Sequence, residues 1–270
     1  MAEYKSDKLE EENKALKEKI THLERELSMA SNLKYHMMPN VYPAFPDVKG
    51  LDIYADSIQL ELIGGDFFDF FRIDADHIGI VMADIFDGGV AAALYMVAFK
   101  ILLSSQMLLG NSLNEKVENI NDQLCWNNED NLSLSVWYGI YEISTGRVSA
   151  VNCGHERPFI LRNGEAVNIE EENVSYLMGV MEGMKYESFD FTINEGDKLL
   201  IYTDGVINSK GGDGTEFGLK RMISAFEETD GKSAMDSVGL LERSFSEFIN
   251  KSELTEDASF LCIYRNGGVA

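Results

Sequence analysis

Apolar residues recur with a period of seven through residues 7–30, with polar residues between them. The seam and its one polar interruption consist of Leu9, Asn13, Leu16, Ile20, Leu23, Leu27 and Ala30. Isoleucine at heptad position a with leucine at d favours two strands, and a single asparagine at a favours a parallel dimer in register. Across such a dimer Glu12 faces Lys17, and Lys19 faces Glu24. Because both pairs attract, the pattern predicts a homodimer through an N-terminal coiled coil.

Two other interpretations of this segment remain open. An isolated amphipathic helix lying on its own domain, or a zipper segment added to the chain, would show the same pattern. Three heptads are only marginally stable alone, so the dimer needs support from the rest of the protein. The helix is expected to continue until Pro39, and a proline-rich connector follows. The predicted organisation is a coiled-coil and linker helix at 1–38, a connector at 39–50 and a folded domain at 51–266.

From Leu51 onward short apolar or alternating runs predict about nine strands. These are Leu51–Gln59, Phe68–Ile73, His77–Ala83, Leu132–Ile143, Arg147–Asn152, Pro158–Arg162, Glu187–Ile193, Lys198–Tyr202 and Ser259–Arg265. Turn sequences separate consecutive strands and imply antiparallel hairpins. The turns are Ser144-Thr145-Gly146, Arg162-Asn163-Gly164 and Asn194-Glu195-Gly196-Asp197.

Two pairs of helices interrupt the strands. They are predicted at Val90–Leu109, Leu113–Asn127, Phe217–Glu228 and Ala234–Asn250. Ser112 and Glu115 form the S-x-x-E pattern of a capping box, and Ser233 is a suitable N-cap. The order of elements predicts an α+β domain in which two packed antiparallel sheets are flanked by helices.

Composition narrows the class of protein. With 45% hydrophobic residues the chain of 270 residues is able to bury a large core, and its net charge of −23 argues against nucleic-acid or anionic-membrane partners. Cys125, Cys153 and Cys262 are far apart and are expected to be reduced, mostly buried thiols. Val90–Leu109 contains Lys100 and polar residues, so it is expected to be a buried helix rather than a membrane span. The charged N-terminal segment does not resemble a signal peptide, and a cytoplasmic location is expected.

Candidate chemistry lies at the ends of four predicted strands. Asp66 and Asp84 flank a predicted hairpin, Asp204 follows an apolar strand, and Asp257 precedes the last one. Hairpin pairing would bring Asp66 and Asp84 to one edge, where two carboxylates repel unless a cation lies between them. Oxygen ligands of this kind suit Mg²⁺ or Mn²⁺. Each aspartate taken alone is equally typical of a solvated turn.

The surrounding motifs form an ordered set across about 200 residues. In chain order they are Gly64-Gly65-Asp66-Phe67-Phe68-Asp69, Ala83-Asp84-Ile85 with Gly89 and the helix after it, Cys153-Gly154-His155, Tyr202-Thr203-Asp204-Gly205, Phe217-Gly218 and Glu256-Asp257-Ala258-Ser259. This set resembles the metal-dependent protein phosphatases, the PPM family, in their bacterial SpoIIE-like branch. The resemblance implies an α-β-β-α sandwich.

The resemblance also implies a protein serine/threonine phosphatase that uses two Mn²⁺ or Mg²⁺ ions to activate a water molecule. By match to the family, the metal ligands are Asp66, Asp84, the backbone carbonyl of Ile85, Asp204 and Asp257. Asp84 bridges the two ions and, with Asp204, is assigned to catalysis. The implied substrate is a phosphorylated regulatory protein, an anti-sigma-factor antagonist.

Some residues depart from the family pattern. Asp87 stands where glycine is usual, which adds charge beside the bridging ligand and removes a flexible turn residue. Asn208 replaces a common glutamate, and Ser259 a common threonine. A catalytically weak or inactive dimeric signalling module is therefore the alternative function. A nucleotide-cyclase hairpin is rejected, because Phe67 replaces the second acidic residue of that motif.

Two further residues lie outside the proposed set of metal ligands. His155 is interpreted as a structural turn residue rather than a general acid. Arg157 is the candidate phosphate ligand, although no family motif places it.

Overall fold

A long helix, α1 (Ala2–Met37), precedes the folded domain. The computed structural model describes residues 2–60, 63–86, 89–107, 110, 112–126, 128–169, 176–249, 254 and 256–267. The heptad residues Leu9, Leu16, Ile20 and Leu23 are all at least half exposed. From Leu9 to Leu23 the seam therefore does not lie on the domain of its own chain and remains open to a partner helix, whereas Leu27 and Ala30 are half-buried. Dimerisation itself stays a prediction.

Ten strands form two five-stranded sheets in the described part of the chain. Sheet one has the order β1 (Leu51–Ile58), β10 (Ala258–Arg265), β9 (Lys198–Tyr202), β6 (Phe159–Arg162) and β7 (Glu165–Asn168). Sheet two has the order β2 (Phe67–Arg72), β3 (His77–Ile85), β4 (Leu134–Glu142), β5 (Arg147–Cys153) and β8 (Ser188–Thr192). Every neighbouring pair is antiparallel.

Helices cover the outer face of each sheet. They are α2 (Gly89–Met107), α3 (Leu113–Cys125), α4 (Asp204–Asn208), α5 (Gly218–Glu227) and α6 (Ala234–Ile249). On sheet two, Phe99 of α2 packs edge-on against Phe67 of β2, and α3 lies against β5. On sheet one, α6 lies against β1 and β10, and α5 against β7. The predicted fold of two antiparallel sheets flanked by helices is confirmed.

Alternation along β9 separates the two hydrophobic cores. Leu199 and Ile201 join the core between the sheets, whereas Leu200 and Tyr202 join the core between sheet one and its helices. This is the period-two pattern of a strand buried on both faces. The capping box at Ser112 and Glu115 is present, and Ser233 accepts the backbone N–H of Asp236 as an N-cap does.

Helix α2 is buried along one face only. Ala92, Met96, Phe99 and Leu103 are buried at helical spacing, but Leu94 and Ile101 on the other side are more than 60% exposed. By length and composition it is the one described helix apolar enough to cross a membrane, with 19 residues and a mean hydropathy of 1.5. The expectation of a buried helix is thus correct for the face that packs on sheet two.

Two expectations about the strands were wrong. The turn at Asn194–Asp197 does not join a hairpin, because β8 lies in sheet two and β9 in sheet one. Strand β7 was not predicted; it pairs with β6 across the turn at Asn163 and Gly164. The ends predicted at Leu109, Asn127 and Asn250 lie outside the described residues.

Candidate metal centre

Asp66 and Asp84 meet at one end of the β2–β3 hairpin. Phe67 is paired with Ala83, so Asp66 and Asp84 follow at the next step of the ladder. The two carboxyl groups are close enough to interact, because the charge of Asp84 contributes to the raised pKa of Asp66. The predicted hairpin is confirmed, and it places two acidic side chains side by side.

Asp204 and Asp257 reach the same region from sheet one. Asp204 begins α4, two residues after β9 ends, and Asp257 immediately precedes β10. Because β9 and β10 pair antiparallel, these ends are neighbours. A Cβ on Gly205 would lie 1.9 Å from the backbone oxygen of Asp257, so the chain at this point accepts only glycine without moving.

Hydrogen bonds connect the two pairs of aspartates across the gap between the sheets. The backbone N–H of Asp66 donates to Oδ2 of Asp257 over 3.3 Å, and that of Leu60 donates to Oδ1 over 2.8 Å. The hydroxyls of Thr203 and Ser259 both donate to Oδ2 of Asp66, over 2.8 and 2.5 Å. The structure therefore brings all four predicted aspartates to one edge of the sandwich.

Burial disfavours ionisation of Asp66, Asp84 and Asp204, and repulsion between carboxylates adds to this effect at Asp66 and Asp84. Burial raises the pKa of Asp66 well above its usual value, and Asp84 and Asp257 add to the rise against the hydrogen bonds from Ser259 and Thr203. Burial, followed by the charge of Asp204, raises the pKa of Asp84 from 3.8 to about 6. Such a rise corresponds to about 3 kcal/mol. Burial also raises the pKa of Asp204. A bound cation would relieve this repulsion.

The donor set fits a hard divalent cation, although the side chains are not closed around a point. Carboxylates and a backbone carbonyl are the ligands that Mg²⁺ and Mn²⁺ prefer. Among the described residues no group of three or more acidic, histidine or cysteine side chains forms a ready-made chelate. Ile85 ends β3 directly after Asp84. Asp87 lies outside the described residues.

A buried cation beside the aspartates was not predicted. Lys34, near the end of α1, is 3% exposed, and its Nζ donates to the backbone carbonyl of Gly64. Burial lowers the pKa of Lys34, and the charges of Asp257, Asp66 and Asp84 oppose that change. The heptad analysis treated this residue only as part of the linker helix, and nothing in its sequence context indicated the contact.

More acidic groups surround Asp204. Burial and, second, the charge of Asp204 raise the pKa of both Glu156 and Glu256. Asn208 donates to Oδ2 of Asp204 over 3.3 Å and also hydrogen-bonds Glu256. Asn208 was noted in the sequence as a departure from the family, and its amide supports two carboxylates where a glutamate would repel them.

His155 is placed as a structural residue. Its Nδ1 lies 2.9 Å from the hydroxyl of Ser135, and Asn152 brackets its backbone by accepting from the N–H and donating to the carbonyl. Burial lowers the pKa of His155 to about 3, so the imidazole is neutral near pH 7 and holds no proton to give as an acid. Arg157 is exposed, and its role in phosphate binding stays a prediction.

The comparisons with known proteins agree with this architecture. The family model described as Stage II sporulation protein E (SpoIIE) matches residues 74–266, more than half of the chain; Asp66 lies before the match. Protein IcfG of Synechocystis sp. is 25% identical over 268 residues, covering 89% of this chain and 42% of that protein. The phosphoserine phosphatase RsbU of Bacillus subtilis is 24% identical over 196 residues, covering 73% of this chain and 57% of RsbU. The chain thus spans about half the length of these relatives.

Solved structures share the fold. The SiaA-PP2C domain of Pseudomonas aeruginosa superposes with a TM-score of 0.77 at 14% identity, covering 91% of this chain and 97% of that one. The PP2C phosphatase domain of SpoIIE from Bacillus subtilis gives a TM-score of 0.68 at 15% identity, covering 80% of this chain and 64% of that one. The chain belongs to the SpoIIE family, and its domain has the fold of PP2C-type phosphatases.

Proposed function

We propose that this protein removes phosphate from phosphoserine or phosphothreonine on a protein, with the help of two Mn²⁺ or Mg²⁺ ions. The observation that carries the proposal is the meeting of Asp66, Asp84, Asp204 and Asp257 at one edge of the sandwich. The negative charges of these four carboxylates repel one another, so a bound cation would stabilise the site. Family membership supports the reaction, and a neighbour structure, RsbX, is described in complex with magnesium.

Each residue has a defined part in this proposal. Asp66, Asp84, Asp204, Asp257 and the backbone carbonyl of Ile85 would hold the cations, and Asp84 would serve both. The cations supply a nucleophile from water at neutral pH and neutralise the phosphoryl oxygens. Thr203 and Ser259 orient Asp66 by donating to the same oxygen of its carboxyl group, Oδ2. No serine or cysteine nucleophile is required.

The substrate we propose is a phosphorylated regulatory protein, an anti-sigma-factor antagonist. Two relatives, RsbU and RsbP of Bacillus subtilis, are named phosphoserine phosphatases. The net charge of −23 disfavours nucleic acid and anionic membranes as partners. We place the protein in the cytoplasm as a homodimer joined through α1, whose heptad residues are exposed in the single chain.

The test is hydrolysis by the full chain after metal removal and readdition. A phosphoserine peptide and para-nitrophenyl phosphate are offered with and without Mn²⁺. Turnover that requires the metal supports the proposal. Mn²⁺ binding without turnover of either substrate, or of a phosphorylated anti-sigma-factor antagonist, would instead favour the non-enzymatic signalling module.

A further inference from the structure

Lys34 connects the linker helix to the candidate metal centre. In the part of α1 whose side chains are described, residues 8–37, it is the one fully buried residue. Its neighbours Leu33 and Tyr35 are 69% and 52% exposed, so the burial belongs to this position and not to the whole turn. A long charged side chain is rarely buried without a partner. Lys34 is therefore the position at which α1 is anchored in the folded domain, four residues before Met38, which is 5% exposed.

The partner of Lys34 belongs to the loop that leads into Asp66 and β2. Its Nζ donates to the carbonyl of Gly64, and Gly64 itself lies directly against the Asp257 side chain. A Cβ added to Gly64 would lie 1.8 Å from Oδ2 of Asp257, the same oxygen that accepts the N–H of Asp66. The amine thus lies in the electrostatic field of Asp257, Asp66 and Asp84.

We propose that Lys34 is a positioning residue that acts as a counter-cation of the aspartate cluster, so that its seating and divalent-metal binding oppose each other. This inference rests on the proposed function, because it concerns the same site. The linker helix would then have a direct electrostatic connection to metal affinity.

The physical argument is one of charge balance. Without metal, the cluster attracts the ammonium group and helps to hold it in a buried position. Two divalent ions carry a charge of +4, which would cancel the −4 of the four carboxylates, so the attraction that holds the ammonium group would be lost. Coupling between two binding events is reciprocal. Metal binding should therefore loosen Lys34 from Gly64, and removal of the Lys34 charge should tighten metal binding.

The first experiment measures Mn²⁺ affinity by calorimetry on the full chain. Lys34→Met keeps much of the side-chain length and removes the charge, and it should bind Mn²⁺ on the order of tenfold more tightly. Lys34→Arg keeps the charge and should stay near the wild type. Lys14→Met is the matched control, since Lys14 is exposed on the same helix. Unchanged or weaker binding by a natively folded Lys34→Met would overturn the proposal.

A second measurement uses the wild type and does not depend on a variant folding. Hydrogen exchange of the amides at 31–38 should quicken when Mn²⁺ is added, because the helix end loses its polar anchor. Slower or unchanged exchange at saturating Mn²⁺ would refute the coupling. If the wild type binds no Mn²⁺, the proposed metal site fails as well. If Mn²⁺ binding is lost in Asp204→Asn but is unchanged in Lys34→Met, the proposed metal site stands and only this inference fails.

Discussion

Thr203 donates its hydroxyl to Oδ2 of Asp66 over 2.8 Å, joining the end of a strand in sheet one to a hairpin in sheet two. The same hydroxyl oxygen accepts the backbone N–H of Ser259 over 2.9 Å. One side chain therefore fixes both the adjacent strand β10 and a predicted metal ligand in the opposite sheet. Thr203 is fully buried, so water does not replace these bonds when they are lost.

Thr203→Val should weaken both the fold and the metal site. The substitution keeps the shape but removes a donor to a carboxyl group, which costs about 1–3 kcal/mol of unfolding free energy. Because the hydrogen bond from Thr203 now lowers the pKa of Asp66, its loss should raise that pKa further and reduce Mn²⁺ affinity near pH 6. Denaturant unfolding and Mn²⁺ titration check both. Thr192→Val, on exposed β8, serves as control, and equal behaviour of the two variants would contradict the assignment.

Asp84→Asn should stabilise the metal-free protein above neutral pH. The pKa of Asp84 is about 6 in the fold against 3.8 as usual, so the folded state binds the proton more tightly than the unfolded state. Stability from this group is then present at low pH and is lost as pH rises between about 4 and 6. The asparagine side chain of the variant does not ionise, so its stability does not decrease over this pH range. We expect a gain of about 2–3 kcal/mol at pH 7.5 that vanishes near pH 4.

Urea unfolding of the metal-free chain at several pH values measures this gain. Adding Mn²⁺ should reverse the order of stability, because only the carboxylate binds it well. A variant that is less stable than the wild type at pH 7.5 without metal would show that Asp84 is not under electrostatic strain.

Asp204→Asn should abolish phosphate hydrolysis and leave the fold intact. A neutral amide is a poorer ligand for a hard cation than a carboxylate. Phosphatase assays at saturating Mn²⁺ and circular dichroism measure the two effects. Asp190→Asn is the control, because Asp190 pairs with Arg147 at the far end of sheet two. Turnover by Asp204→Asn at the wild-type rate would remove Asp204 from the site.

Asp87→Gly should change the metal dependence of activity. Asp87 adds a carboxylate three residues after Asp84, and glycine restores both the family residue and a freer turn. The Mn²⁺ concentration at half-maximal rate is the quantity to compare, together with the maximal rate. If both are unchanged within error, Asp87 is a surface substitution without influence on the site.

Ile20→Lys combined with Leu27→Lys should yield monomers. Two lysines in the seam of a parallel coiled coil place like charges opposite each other. Light scattering gives the mass, and the same preparation gives the phosphatase rate. Ala15→Lys with Ser28→Lys adds the same charge on outward heptad positions and should remain dimeric. A monomer with unaltered activity would make the coil a tether and exclude control of the site by its register.

Sequence patterns predicted the elements well where one physical signal dominated. Strands with two apolar faces, such as β9, and the hairpin between β2 and β3 follow from apolar runs and turn residues. The turn at Asn194–Asp197 misled because the same residues that close a hairpin also let a chain pass from one sheet to the other. Strand β7 has only one strongly apolar residue, Val167, so no alternation marks it.

The aspartates of the site were found because each lies at a strand end beside a recognisable motif. Their supporting contacts were not. Thr203 and Ser259 are one and two residues from predicted ligands, yet their common target is Asp66, more than 130 positions away. Lys34 was missed for the same reason. Contacts between distant segments depend on how the sheets and α1 are packed, which local patterns do not specify.

The hydrogen bonds from Thr203 and Ser259 to Asp66 join the two sheets beside the apolar layer that lies between them. Leu199, Ile201, Leu261 and Ile263 belong to the part of that layer that sheet one contributes. Apolar packing has little directional preference, whereas hydrogen bonds require a defined geometry. The arrangement of the four aspartates therefore depends on how the two sheets are aligned. A large-to-small substitution in this apolar layer, far from any carboxylate, should therefore lower the proposed phosphatase activity. The cause would be a small displacement of one sheet against the other, at a point where the protein is still folded.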